Sequence, residues 1–312
     1  MSQKCRLPVA SIAIHFAQHA ILGEKCDGED RAFLLLRLHP PMNILLHTIA
    51  LEPARWTPAR VSRPLVELLP AIAGAGFYQL EIFEPHLDFA PDEEALRRAL
   101  AEHHLLPRVL SSYLELTPHK TSAEVFSAQA DRLLARVDRF GFQKVRLFPG
   151  AAADPSAGAY AQAVGEVARR VRGLAEARPE VEFLFETHDG GLADDPEGIV
   201  WLSEEIGRAN VGLLWQPTVF DAEAARAQFA LQREHVRHLH LQNRVAGDLG
   251  QFATLRDGVV PWREILGEPP FGLDGTLEFV PAGICAPEEF DLTATLQQAV
   301  EEFQYLVALE AS

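Results

Sequence analysis

Glu182-Phe-Leu-Phe-Glu-Thr-His188 and, after one helical stretch, Val211-Gly-Leu-Leu-Trp-Gln-Pro217 decide how this chain folds. Each is a short apolar run that ends in polar residues. Between them, Asp195-Pro196 places proline at a first helical position. A buried strand, a helix and a second buried strand in that order make a parallel β-α-β unit. Counting these two, such runs fall at Ile44–His47, Gln79–Phe83, Arg108–Leu114, Lys144–Phe148, Glu182–Thr187, Val211–Trp215, Val236–Leu241 and Thr276–Val280. Such strands alternating with helical sequence over roughly 270 residues predict a closed (β/α)8 TIM barrel of the α/β class. A doubly wound open sheet is the main alternative, but no glycine-rich phosphate-binding fingerprint supports it.

Local signals agree with that reading. Thr121-Ser-Ala-Glu124 has the pattern of a capping box, and Asp221 can cap the helix that begins Ala222-Glu-Ala. Asp154-Pro155 and Ala286-Pro287 mark two more helix starts. Gly76, Gly141 and Gly207 fall where helices should end.

Residues 1–41 read differently. Lys4 and Arg6 precede the apolar stretch 7–23, the outline of a secretion signal, yet His15, Gln18 and His19 interrupt it and no small-residue cleavage site follows. Met42 stands at the start of the first strand, so 1–41 reads as an extension outside the fold, or as the product of an over-long start, and 42–309 as the barrel; an N-terminal helix packed on the bottom of the barrel is the alternative. Cysteines at 5, 26 and 285 form no disulfide framework, which points to a reducing, cytoplasmic location. The net charge of −16 argues against nucleic acid as a partner, and no apolar run is long enough to span a membrane. Homo-oligomerisation is left open.

In a barrel of this kind the chemistry sits at the C-terminal ends of the strands. Residues two apart in a strand share a face. Glu186 and His188 therefore point the same way, as do His238, His240 and Gln242, while Phe185, Leu239, Leu241, Leu277 and Phe279 face the helices. Glu186, Gln216, His240 and Glu278 then converge from four consecutive strands. Two carboxylates, an imidazole and an amide oxygen form a ligand set for one divalent ion: Mn²⁺, Mg²⁺, Co²⁺ or Zn²⁺. Without an ion, two inward carboxylates would be costly to ionise together.

These motifs resemble the xylose-isomerase-like barrels, which include sugar-phosphate isomerases and epimerases, ketose 3-epimerases, hydroxypyruvate isomerase, inosose dehydratase and endonuclease IV. Phe185-Glu-Thr-His-Asp-Gly-Gly-Leu-Ala-Asp194, Val211–Pro217, His238-Leu-His-Leu-Gln-Asn243 and Leu277-Glu-Phe279 carry the resemblance, which extends over about residues 42–309. It implies one metal held by Glu186, Gln216, His240 and Glu278. The family usually has Asp where this chain has Gln216, and often His where it has Val219. A glutamine adds no charge, so a weaker site or an altered metal preference is expected.

The resemblance further implies isomerisation or epimerisation of a keto-sugar or sugar-like polyol through an enediolate. Glu186 and Glu278 are then the catalytic pair on opposite faces of the sugar. Substrate-side candidates are His188, His47, Glu81, Arg146 and Arg244. His188 suits either substrate contact or orientation of Glu186. Glu81 suits hydrogen bonding to other inward groups. Arg146 suits a salt bridge to an inward carboxylate, and Trp215 suits packing. The rival readings are a dehydratase or lyase on a keto-polyol, a phosphodiester hydrolase disfavoured by the acidic charge, and a non-catalytic sugar-binding barrel with a degraded metal site.

Overall fold

A computed structural model describes residues 42–55, 60–152, 157–188, 190–193, 195–267 and 273–310. The expectations for 1–41, for Cys5 and Cys26, and for the helix start at Asp154-Pro155 lie outside these residues. Among the described residues, no helix is long and apolar enough to cross a membrane.

The elements follow in alternation. They are β1 (Ile44–His47), α1 (Leu65–Gly74), β2 (Gln79–Phe83), α2 (Glu84–Asp88), α3 (Glu93–Glu102), β3 (Leu106–Ser111), α4 (Ala123–Phe140) and β4 (Lys144–Leu147). Next come α5 (Ala157–Ala177), β5 (Glu182–Glu186), α6 (Pro196–Ile206), β6 (Val211–Trp215), α7 (Ala222–Gln232) and β7 (Val236–Leu241). The chain ends with β8 (Asn243–Val245), β9 (Asp248–Ala253), α8 (Trp262–Gly267), β10 (Asp274–Leu277) and α9 (Leu292–Glu310). Eight strands close in the order β1-β10-β7-β6-β5-β4-β3-β2, and the pairs are parallel. This is the expected (β/α)8 barrel.

Alternation explains the two layers of core. Phe183, Phe185, Leu213, Trp215, Leu239, Leu241 and Leu277 point outward from the barrel into the helices and belong to one continuous buried cluster. In α4, Ala130, Leu133, Val137 and Phe140 recur at three- and four-residue steps and are buried. Full burial of one such aliphatic side chain stabilises by about 1.5–3 kcal/mol. Gly141 ends α4 in the left-handed conformation at φ 72°, where a Cβ would be strained.

Several local expectations shift. The cap of α4 is Ser122, whose hydroxyl accepts from Val125 N–H at 3.3 Å, rather than Thr121. Ala286-Pro287 opens a single 3-10 turn, and α9 begins at Leu292 behind an Asp291 cap. The eighth strand ends at Leu277, earlier than the sequence suggested. Alternation therefore does not extend to Phe279, which leaves the helix layer and joins Ile49, Phe83 and Phe252 in a small cluster of its own. Arg244 sits in an antiparallel β8/β9 hairpin rather than a loop.

Candidate active site

The C-terminal ends of the strands surround a cavity of about 670 Å³. Glu186, Gln216, Gln242 and Glu278 line it from adjacent strand ends. His240 lies fully buried beneath them. Its Nδ1 is 3.3 Å from Glu186 Oε1 and 3.4 Å from Glu278 Oε2. On the other side of the ring, Nε2 is 2.9 Å from Glu81 Oε1.

Amides bind the cluster together. Gln216 Nε2 donates to Glu186 Oε1 at 2.8 Å. Gln242 Nε2 donates to Glu278 Oε2 at 2.9 Å and to the side-chain oxygen of Gln216. Thr187 locks the ends of β5 and β6: its hydroxyl donates to Gln216 C=O at 2.8 Å and accepts from Gln216 N–H at 2.8 Å. Arg146 Nε lies 3.0 Å from Glu186 Oε2, the ion pair that the sequence suggested. The Arg146 guanidinium sits between Phe148, 4.1 Å from its ring centroid, and Tyr113, at 4.9 Å.

These neighbours divide the carboxylates electrostatically. Burial alone would raise Glu186, but Arg146 and His240 hold it below its ordinary value. Burial raises Glu278, and the charges of Glu186 and Glu81 add to this against the pull of His240. Burial would also raise Glu81, yet His240 and His47 hold it well below the usual range. The same carboxylates overcome burial at His240 and hold it well above 6.5.

The donor chemistry fits a divalent ion at one place. The ligand atoms of Glu186, His240 and Glu278 lie within 4.8 Å of one another and face the cavity floor. With Glu81 accepting the hydrogen bond of Nε2–H, Nδ1 would be the ligating nitrogen, the usual arrangement of a carboxylate behind a ligating imidazole. A second cluster, His47, Glu81 and His240, is compact but unsuitable. His47 Nδ1 accepts Ile49 N–H at 3.1 Å, so its proton sits on Nε2, aimed at Ser111 and Glu81. His47 is fully buried, and burial lowers its pKa to about 3.

The structure therefore sorts the sequence candidates. Glu186, Gln216, His240 and Glu278 come together, with Gln216 bonded through both ends of its amide. His188 lines the cavity with its ring edge-on to Phe148 at 5.3 Å. Arg244 also lines it, stacked over Phe252 with Cζ 3.3 Å from the ring centroid. His47 and Glu81 lie below the cluster, fully buried, and make their contacts with His240 and Ser111. Sequence reasoning did not single out Tyr113, Phe148 or Arg55 as parts of the cavity wall. The aromatic pair was findable, because both residues fall just past the ends of β3 and β4.

The chain belongs to the xylose isomerase-like TIM barrel family, whose profile matches residues 69–268. None of the curated protein sequences is similar enough to match it. Among solved structures, it is similar to the probable 3-DHS dehydratase AsbF involved in petrobactin synthesis from Bacillus anthracis. The identity is 21%, the TM-score 0.62, and the match covers 82% of this chain and 98% of that one. The IOLI protein with a binding zinc atom is 14% identical, with a TM-score of 0.63 and coverage of 86% and 98%. An L-ribulose 3-epimerase is 14% identical, with a TM-score of 0.58 and coverage of 86% and 94%. At these identities the likeness is one of fold.

Proposed function

We propose that this protein is a divalent-metal-dependent isomerase or epimerase of a keto-sugar or sugar-like polyol. The observation that carries the reading is the meeting of two glutamates, Glu186 and Glu278, at one imidazole nitrogen on the floor of the cavity. Glu186, His240 and Glu278 would hold the ion, with Gln216 as a fourth ligand through its carbonyl oxygen. When bound, a divalent ion there would supply Lewis-acid polarisation of a substrate carbonyl.

The chain's own residues would do the proton work. Their surroundings push Glu186 down and Glu278 up, which suits one to take a proton and the other to return it. Arg146 holds Glu186 ionised and fixes its orientation from the side, while Tyr113 and Phe148 shield that ion pair. Return of the proton to the opposite face of the same carbon gives an epimer, and return to the neighbouring carbon gives the isomer. Manganese, magnesium, cobalt and zinc all suit an oxygen and nitrogen donor set. The zinc atom in the IOLI structure supports a metal in this fold, and the epimerase supports sugar chemistry.

A dehydratase acting on a keto-polyol is the second reading, favoured by the likeness to the probable 3-DHS dehydratase. One experiment separates the two. The metal-loaded protein is incubated with a panel of ketoses and keto-polyols in D₂O and followed by NMR. Deuterium entering at one carbon of a product of unchanged formula supports the first reading, and loss of water supports the second. Turnover that persists in both Glu186→Gln and Glu278→Gln would sink both readings.

A further inference from the structure

Arg55 differs from Arg146, which lines the same cavity and is paired with Glu186. Arg55 follows the 3-10 turn after β1 and is 5% exposed. Its Nε donates to Ile49 C=O at 3.1 Å, and its Nη2 donates to Ala50 C=O at 3.3 Å and Gly283 C=O at 2.6 Å. A guanidinium carries five N–H groups. These bonds leave Nη1 as the nitrogen available to the cavity that Arg55 lines.

Among the described residues, no carboxylate pairs with it. Glu52, Cys285 and Glu278 act on Arg55 only through space. Glu52 is engaged by Ala54, Ser62 and His86, and Glu278 by Gln242 and His240. Burial lowers Arg55 to about 10, so it remains charged at neutral pH. Holding three backbone carbonyls does not require a charge, and a buried cation without a counter-ion is costly.

We propose that Arg55 binds a carboxylate of the substrate, so that the site takes an acidic sugar or a related polyhydroxy acid. The carboxylate would sit on Nη1 and the carbonyl end at Glu186 and Glu278, which rests on the reading of the site given above. A single nitrogen offers two hydrogens, enough for a group of one negative charge. A phosphate dianion would need further donors. The side chains beside Arg55, Ile49, Phe83 and Phe279, supply none, and the next cation of the wall, Arg244, stands further along over Phe252.

The test compares D-fructose, D-fructuronate and D-fructose 6-phosphate, which differ only at C6. Each is titrated calorimetrically into Mn²⁺-loaded wild-type, Arg55→Gln and Arg55→Met proteins. In wild type, D-fructuronate should bind about tenfold or more tighter than D-fructose. That ratio should fall to about twofold or less in both variants. Gln places its amide nitrogen about where Nε stands, so Arg55→Gln removes the charge while able to keep the bond to the Ile49 carbonyl. It carries the comparison if Arg55→Met does not fold. Equal affinities in wild type, no binding of D-fructuronate, a ratio that survives in Arg55→Gln, or a stronger preference for the 6-phosphate would each overturn the proposal. Repeating the wild-type titrations in EDTA separates the two claims. Failure of the metal reading appears as affinities unchanged by EDTA, and failure of the Arg55 proposal appears in the acid-to-neutral ratio.

Discussion

The imidazole Nε2 of His240 sits 2.9 Å from Oε1 of Glu81, on the side of the ring away from Glu186 and Glu278. Glu81 is fully buried, and its other neighbours are His47, His238 and Ser111. It fixes which nitrogen of His240 carries a proton and which is free to ligate. Glu81→Gln should weaken Mn²⁺ binding about 10–100-fold. Calorimetric titration measures this, and an unchanged affinity would show that Glu81 does not orient the ligand.

Metal binding should also release protons. His240 is held well above 6.5 by Glu278, Glu81 and Glu186, so it carries its extra proton in the metal-free protein, and Glu278 is shifted upward too. Ligation needs His240 neutral at Nδ1 and Glu278 ionised. Affinity should therefore fall as pH falls, with about one proton, that of His240 Nδ1, released per ion near neutral pH. Calorimetry in buffers of different ionisation enthalpy counts them, and a buffer-independent heat would contradict the proposed ligand set.

Gln216 bears on the charge of the site. Its amide nitrogen donates to Glu186 Oε1 at 2.8 Å, where an aspartate would bring a like charge. Gln216→Asp should lower the melting temperature of the metal-free protein and tighten Mn²⁺ binding by about tenfold or more. Melting curves with and without EDTA, together with a Mn²⁺ titration, check both directions. Equal or weaker affinity counts against Gln216 as a ligand.

Stability should depend on pH through the buried histidines. Burial lowers both His47 and His238 to about 3. Between about 3 and 6.5, each binds more protons unfolded than folded, so stability rises with pH and is lost as pH falls through that window. Raised Glu278 works in the opposite direction, because its preference for the proton is lost on ionisation as pH rises. The comparison with His238→Gln isolates one histidine. Urea unfolding at a series of pH values should show the slope reduced by up to about one proton. An identical slope would mean that His238 is not buried neutral.

Thr187 gives a test of the scaffold. Thr187→Val removes both of its bonds to Gln216 and leaves the Gln216 N–H without its partner. A loss of about 1–3 kcal/mol in unfolding free energy is expected. A loss below about 0.5 kcal/mol would mean that the strand ends are held by other contacts.

The fold and much of the candidate site were legible because both rest on periodic, local signals. Turn and cap residues punctuate the β-α units, and side-chain alternation places Glu186 and His240 on the inner face while Phe185 and Leu239 pack outward. Alternation holds only while a strand lasts. It misplaced Phe279, because β10 ends at Leu277 and the chain turns into the cavity wall. It could not show that Glu81 lies behind His240, since a contact across 159 positions exists only once the barrel has closed. Arg55 is the clearest case. In sequence it is one charged residue in a loop; closure places it against Gly283, 228 positions away, and covers it by burial. Local sequence signals suffice for the barrel and for the residue types its strand ends present. Tertiary structure decided which of those residues meet, because strand closure and side-chain burial bring together groups that no local pattern relates.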